Sequence, residues 1–381
     1  MSWHGIRTVA ALELRQRART SRWPVVLGIW FVVIALVAFL AFYATRDPDL
    51  RSGRAMYDVV VFFVLGLAML IVPSLTATSV NGDREHGVLA TLQTTLLTHW
   101  DLVVGKLVAA WLVAMAFLAA SLPFLVWAWA VGGVAAGGIV LSLLVLVLVL
   151  AVVCAVGLMF STLTARPVAS AVLTYLAMGA LVFGTTIGFG LSVFLVTGEE
   201  PQRVHGIPAN WYEAHQPPTI DPSDPNLTPE QLEQLKQAGQ PTAADCVTYT
   251  RTQSVSHTER IWWMLPLNPF VVVADAAPSK APNHAGADDA YVGGFTPMRW
   301  IAGGARMARK GPDAVVDECR FATGNATAEA YQDPFDTAFQ TGPVWPYGLG
   351  FLLLLGAGAT TVAARRLRTP VRRLPNGTRI A

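Results

Sequence analysis

Seven histidines, three cysteines and 25 carboxylates could in principle bind a metal or move protons, so their spacing decides what they can do. His205, His215, His257 and His284 fall in one polar stretch, but no two stand at the close spacing of a zinc pair, and His-Glu-x-x-His does not occur. The expectation is histidines that are solvated or locally hydrogen-bonded, with no metal site. Nor is there a legible nucleophile with its base, so no catalytic residue is assigned. The phosphate-binding pattern G-x-x-x-x-G-K-[ST] is missing as well: Gly105-Lys106 has neither the earlier glycine nor the following Ser/Thr. If ATP drives this protein, another chain must hold it, and no cofactor is expected on this one.

The most informative stretch runs from Asn81 to Lys106. Leu89, Leu92 and Leu96 recur on one helical face, backed by Val88, while Arg84, Glu85, Gln93 and Thr94 supply polar positions. That pattern predicts a short amphipathic helix over 83–97, suited to a groove on another protein and too polar to cross a membrane. Thr98 and Asp101 then form a capping-box-like start for the next helix, so the chain turns sharply between the two.

The elements that must position this stretch lie in lipid. Hydrophobic residues make up 53% of 381 positions and charged residues 14%, more apolar surface than a soluble domain of this size buries. A hydrocarbon core of about 30 Å needs roughly 20 apolar residues per helix. Six stretches qualify, at 24–45, 57–80, 103–130, 134–160, 168–197 and 343–364. Residues 1–23, the 81–106 connection, Arg166 and the tail from Arg365 together carry 14 Lys/Arg against four acids, whereas 198–342 carries 10 against 18. The positive-inside rule then puts both termini and the 83–97 helix in the cytoplasm. Nothing in this pattern suggests nucleic-acid binding; the basic face suits anionic lipid.

The fold class expected is an all-α integral membrane protein of six spans, with a large irregular extracytoplasmic domain at 198–342 and a basic cytoplasmic tail at 365–381. Trp3, Ile6, Ala10 and Leu14 recur at helical spacing while Arg15, Arg19 and Arg22 project elsewhere, so residues 1–23 read as a helix in the membrane interface. Short helices are predicted at 228–238 and 298–310. The run Ile261 to Ala274 is too short and proline-broken to span; it reads either as an interfacial or re-entrant segment docked on the bundle or as a buried part of the outer domain. Cys246 and Cys319 both fall in the outer segment, where an oxidising compartment permits a disulfide, and Cys154 lies in the fourth span. No span carries an ionisable residue away from its ends, Asp58 and Lys106 reading as terminal, which weighs against a proton-coupled carrier. Thr76, Ser79, Thr185 and Thr186 could line a path between protomers, against the plainer reading that such hydroxyls bond their own backbone.

Asp83-Arg84-Glu85, Gly87, Leu89, Leu92, Thr95, Leu97 and Gly105-Lys106 fall, without gaps, where the ABC-2 permease family carries its connection between spans two and three. The sequence resembles that family. It departs at Val88, where Thr is usual, at Ala90, where Glu is usual, and at Leu96, where Pro is usual. Glu13-Leu14-Arg15 is similar to the family's N-terminal interfacial helix, with Glu13 and Arg15 as its marks, and Asn268-Pro269-Phe270 to the segment before its last span.

The resemblance implies a permease subunit of an ATP-driven transporter with a type V exporter-like bundle, acting as a dimer with an identical or homologous permease. Two separate ABC ATPase subunits would carry ATP and Mg. Arg84, Glu85, His86, Gly87, Leu89, Leu92, Gln93 and Leu96 would then form the coupling helix that meets the ATPase. The expected location is the plasma membrane, and Ala- and Arg-rich usage points to a GC-rich bacterium. The competing readings are a carrier not driven by ATP, and a membrane-anchored enzyme or structural subunit using the outer domain.

Overall fold

The computed structural model describes residues 2–19, 22–44, 52–85, 98–132, 134–215, 241–277, 296–319 and 334–368. The chain opens with α1 (Trp3–Ala18), followed by α2 (Arg22–Ala44), α3 (Ser52–Thr76) and α4 (Ser79–Glu85). Next come α5 (His99–Val131), α6 (Ala136–Leu163), α7 (Pro167–Gly179) and α8 (Thr185–Val193). Among the described residues, six helices are long and apolar enough to cross a membrane: Trp23–Ala44, Gly53–Asp83, His99–Val131, Ala136–Leu163, Pro167–Val193 and Trp345–Arg366. They match the six stretches read from the sequence, and the chain is a multi-pass membrane protein.

Between lipid-solvated helices the hydrophobic effect gives little drive, so close packing and internal hydrogen bonds must hold the bundle together. Ile34, Val60, Leu65, Phe117, Leu146, Met178 and Leu352 belong to one core drawn from all six spans. Polar side chains buried beside it pair across helices. The Trp30 indole N–H donates to Ser121 Oγ at 2.9 Å, and that hydroxyl donates to Phe117 O at 3.0 Å. The fifth span joins α7 to α8 through a π-helical turn at Ala180–Gly184. Such a turn disturbs the regular ladder. Val182 O in this turn accepts from Asn268 Nδ2 at 2.8 Å and from Thr186 Oγ1 at 2.9 Å.

After the fifth span the chain rises directly into a three-stranded sheet ordered β2-β1-β3. Its strands are β1 (Thr197–Gly206), β2 (Val247–Ser256) and β3 (Val315–Asp317). β1 pairs antiparallel with β2 from Thr197↔Ser256 to Gly206↔Val247, and parallel with β3 at Arg203↔Val315. This sheet corrects the expectation of an irregular segment at 198–342. The run Val-Thr-Tyr-Thr-Arg-Thr-Gln-Ser-Val-Ser at 247–256 is rich in the residues that favour a pleated surface. A disulfide between Cys246 and Cys319, with Cα atoms 5.9 Å apart, ties the start of β2 to the residues just after β3. The helix expected at 228–238 lies outside the described residues.

The run at 261–274 becomes a 3₁₀ helix (Trp262–Leu267) and α9 (Pro269–Ala276). Val272 and Val273 are fully buried and belong to the same core as the spans, so this segment is docked in the bundle. Asn268 starts α9 by accepting from Phe270 N at 2.9 Å. The predicted helix at 298–310 is α10 (Pro297–Lys310), and the last span is α11 (Trp345–Arg366). Gly348 of α11 lies directly on the 3₁₀ helix; a Cβ there would fall 2.1 Å from Pro266 O.

Asp58 and Lys106 stand near span ends, as read from the sequence, and both are buried. Asp58 accepts Met298 N at 2.9 Å and Arg299 N at 3.1 Å, so a carboxylate from the second span caps the open N-terminus of α10. A further buried pair, Asp275 and Arg306, joins α9 to α10. The same Asp275 accepts Val344 N at 2.6 Å and Trp345 N at 2.8 Å, which fixes the start of α11. Arg306 also donates to Phe339 O at 3.3 Å.

Candidate functional site

Lys106 sits two turns inside α5 with its side chain fully enclosed. A buried ammonium is costly unless its donors are met by opposite charge. Here Nζ pairs with Glu13 of α1, pairs with Asp83 Oδ2 of α4 at 2.6 Å, and donates to Ser79 O at 3.2 Å. One cation therefore holds three elements together, at the point where α4 enters the predicted 83–97 helix. Both carboxylates keep some solvent contact, Glu13 at 14% and Asp83 at 19% of full exposure, so the site opens toward the face that carries α1.

The neighbouring glycine explains how α1 comes so close. A Cβ on Gly105 would lie 2.7 Å from Val9 Cβ and 3.1 Å from Ile6 O, so any larger residue would push α1 off α5. Gly105-Lys106 thus acts as a pair, the glycine admitting α1 and the lysine fastening it. Gly5, Ile6, Val9 and Ala10 form the buried face of α1, while Trp3 is 72% exposed. The expected stripe of Trp3, Ile6, Ala10 and Leu14 is corrected accordingly. Gly105 lets the helix settle on its Ile6, Val9 and Ala10 side, which leaves Trp3 outward and Leu14 partly covered. Arg15 is exposed, and Arg17 reaches Leu75 O at 3.2 Å.

Both ends of the connection that would hold the coupling helix are anchored. On the entry side, Val80 N donates to Ser161 Oγ at 2.9 Å. Asn81 is fully buried, and the carbonyls of Ser161 and Thr164 beside its side chain, at 2.8 and 2.7 Å, orient its amide nitrogen toward them. On the exit side the capping box forms: Asp101 N donates to Thr98 Oγ1 at 3.2 Å, and Asp101 Oδ2 accepts Thr98 N at 3.1 Å. The other oxygen of Asp101 accepts Ser2 N at 2.7 Å, a second tie between α1 and α5. Arg84 and Glu85 close α4, whereas His86, Gly87, Leu89, Leu92, Gln93 and Leu96 lie outside the described residues.

The polar span residues do not gather on one surface. Thr76 is fully buried, donates to Val72 O at 3.0 Å and lies against Gly157. Ser79 contributes its carbonyl to Lys106. Thr185 donates to Leu181 O at 2.7 Å, and Thr186, on an exposed face, to Val182 O at 2.9 Å. Three of the four hydroxyls thus bond their own helix.

Among the described residues no group of three or more His, Cys, Asp or Glu is placed to hold a metal ion. His257, instead, sits between two acids, Nδ1 2.7 Å from Glu259 and Nε2 3.2 Å from Glu200. The hydrogen bonds to Glu259 and Glu200 push its pKa above the usual histidine range.

From the sequence, Lys106 reads as a span-end charge, as a reason to exclude a phosphate loop and as part of a resemblance. The signal for more was the glycine before it, together with Glu13 and Asp83 at helix positions that sequence separation hides.

Six apolar helices, an amphipathic helix packed ahead of the first, and a charged anchor between the second and third define a helical multi-pass membrane protein with a fixed connection on one face. Residues 7–282 match the family described as ABC-2 family transporter protein. That is well over half of the chain, and the chain belongs to this family. Its members are membrane components of ABC transporters and generally work with ABC ATPase partners. The match stops short of α10 and the last span. No curated protein matches the chain.

Proposed function

We propose that this chain is the permease subunit of an ATP-driven ABC-2 exporter, paired with a second permease and coupled to separate ATPase subunits through residues 83–97. The observation that carries the reading is the three-way contact of Lys106 with Glu13 and Asp83, set at the root of that connection. A helix that receives force must pass it on through something stiffer than a loop. Asn81, Asp83 and the Thr98–Asp101 box fix the two ends of the connection to α6 and α5, so motion of the helix reaches the spans directly.

ATP binding would close the ATPase pair, swing the 83–97 helices, and shift the facing permeases between two arrangements of a shared cavity. ATP and Mg stay on the partner chain; this one supplies the path and the linkage. The excess of Lys/Arg around this connection and at both tails supports a cytoplasmic position for it and for the termini of a bacterial plasma-membrane protein. The acidic 198–342 segment, with its disulfide, would then face the oxidising side.

The test is co-purification in mild detergent with mass spectrometry and an ATPase assay, on the wild type and on Leu92→Glu. A stoichiometric ABC ATPase with the wild type, lost or uncoupled with Leu92→Glu, is the expected result. Wild-type chain that is folded yet brings down no ATPase would refute the reading.

A further inference from the structure

α10 is turned inside out for a helix in water. Two of its arginines point inward, while Lys310 at its end is exposed and pairs with Asp313: Arg306 is buried against Asp275 and Phe339, and Arg309 donates to Gly342 O at 3.0 Å and Pro343 O at 2.8 Å. Arg309 also lies over the rings of Trp262 and Tyr347, at 4.9 and 5.2 Å. The outward face carries Trp300 at 64% exposure, Gly304 and Met307, spaced i, i+4 and i+7 along one side. A water-facing helix of this composition would show its arginines and hide its tryptophan.

The level of the helix follows from what holds it. Asp58, one turn into the second span, caps its N-terminus, and Arg309 near its C-terminus meets Tyr347 and the residues that start the sixth span. Those spans both begin on the membrane face opposite α1, so α10 bridges two span ends along that boundary. The sixth span starts at the same level and carries exposed apolar residues of its own, Tyr347, Phe351 and Leu354. Indole and thioether groups on a surface at span-end level match the zone where headgroups meet acyl chains.

We infer that α10 lies in the bilayer interface, with Trp300 and Met307 inserted at the headgroup–acyl boundary, so that the outer segment rests on lipid through this helix. This inference needs only the membrane topology, and stands whether or not the chain couples to an ATPase.

The test uses the full chain with Cys154→Ala, leaving Cys246 and Cys319 paired, and a bimane label at Trp300→Cys. A second label at Gly304→Cys serves if the first variant is unstable, since nothing lies within 4 Å of a Cβ there. In phosphatidylcholine–phosphatidylglycerol nanodiscs, shallow nitroxide lipid is expected to quench either site several-fold more than aqueous iodide does. A label at exposed Glu199 of β1 should show the reverse. Iodide quenching at Trp300 and Gly304 equal to that at Glu199, with no nitroxide effect, would mean a water-facing helix and overturn the inference. Protection from both quenchers would mean a protein cover, another segment or another copy, and would overturn it equally.

Discussion

Among the described residues, two buried ionic centres lie one near each face, and they are built on opposite plans. At Asp275 one carboxylate receives Arg306 and two backbone amides, Val344 N and Trp345 N, so its oxygens are fully occupied within the fold. At Lys106 one ammonium is divided between Glu13 and Asp83, each on a separate helix and each partly open to solvent. A planar guanidinium facing a saturated carboxylate fixes one geometry, whereas an ammonium is a compact point charge on a flexible stem that can favour one partner over the other. The Asp275 centre is suited to locking α9, α10 and α11 into one block. The Lys106 centre is suited to passing motion between α1 and the connection after α4.

Breaking the locked centre should have the largest effect. Asp275→Ala leaves Arg306 buried without its acid and two amides without an acceptor, a loss of about 3–5 kcal/mol. Thermal unfolding followed in detergent should show a marked fall in Tm or failure to accumulate. Lys106→Met should cost less stability, because Glu13 and Asp83 can turn to water, yet should abolish dependence of ATPase activity on the permease in the co-purified complex. Comparing the two variants by Tm and by hydrolysis sharpens the contrast: one is expected to lose the fold first, the other the coupling first.

A smaller effect is expected from Gly105→Val, which drives a side chain into Val9 and lifts α1. Overpacking of this kind costs roughly 1–3 kcal/mol. Faster proteolysis or exchange within residues 3–18, with the rest of the bundle unchanged, would check it.

The smallest effect concerns His257, between Glu200 and Glu259. Its folded pKa is raised by these acids, so its contribution is full below the unfolded value of about 6.5 and is lost as pH rises through the higher folded value. Tm of the wild type should fall modestly over that window, and His257→Ala should flatten the curve.

Much of this architecture was legible in the sequence because membrane crossing imposes a length and a polarity that few segments satisfy by accident. The spans, the capping box at Thr98 and the helix at 297–310 all rest on local signals. What escaped was non-local. Asp58 caps a helix 240 residues further on, and Lys106 meets Glu13 across 93 positions, and neither pairing leaves a periodic trace. The sheet was missed because its only strong strand signal, at 247–256, sits in a polar stretch whose partner strand, Thr197–Gly206, contains two glycines and a proline. Of the candidate site, Gly105-Lys106 stood out in the sequence, but not the two helices that the lysine fastens.

The link that Lys106 makes between α1 and the root of the 83–97 connection is read out by hydrogen–deuterium exchange on the complex with and without ATP and vanadate. Exchange in residues 3–18 is expected to change with nucleotide in the wild type, and that response to disappear in Glu13→Gln while the ATPase stays bound. An α1 that ignores nucleotide in the wild type, or still responds fully in Glu13→Gln, would contradict it.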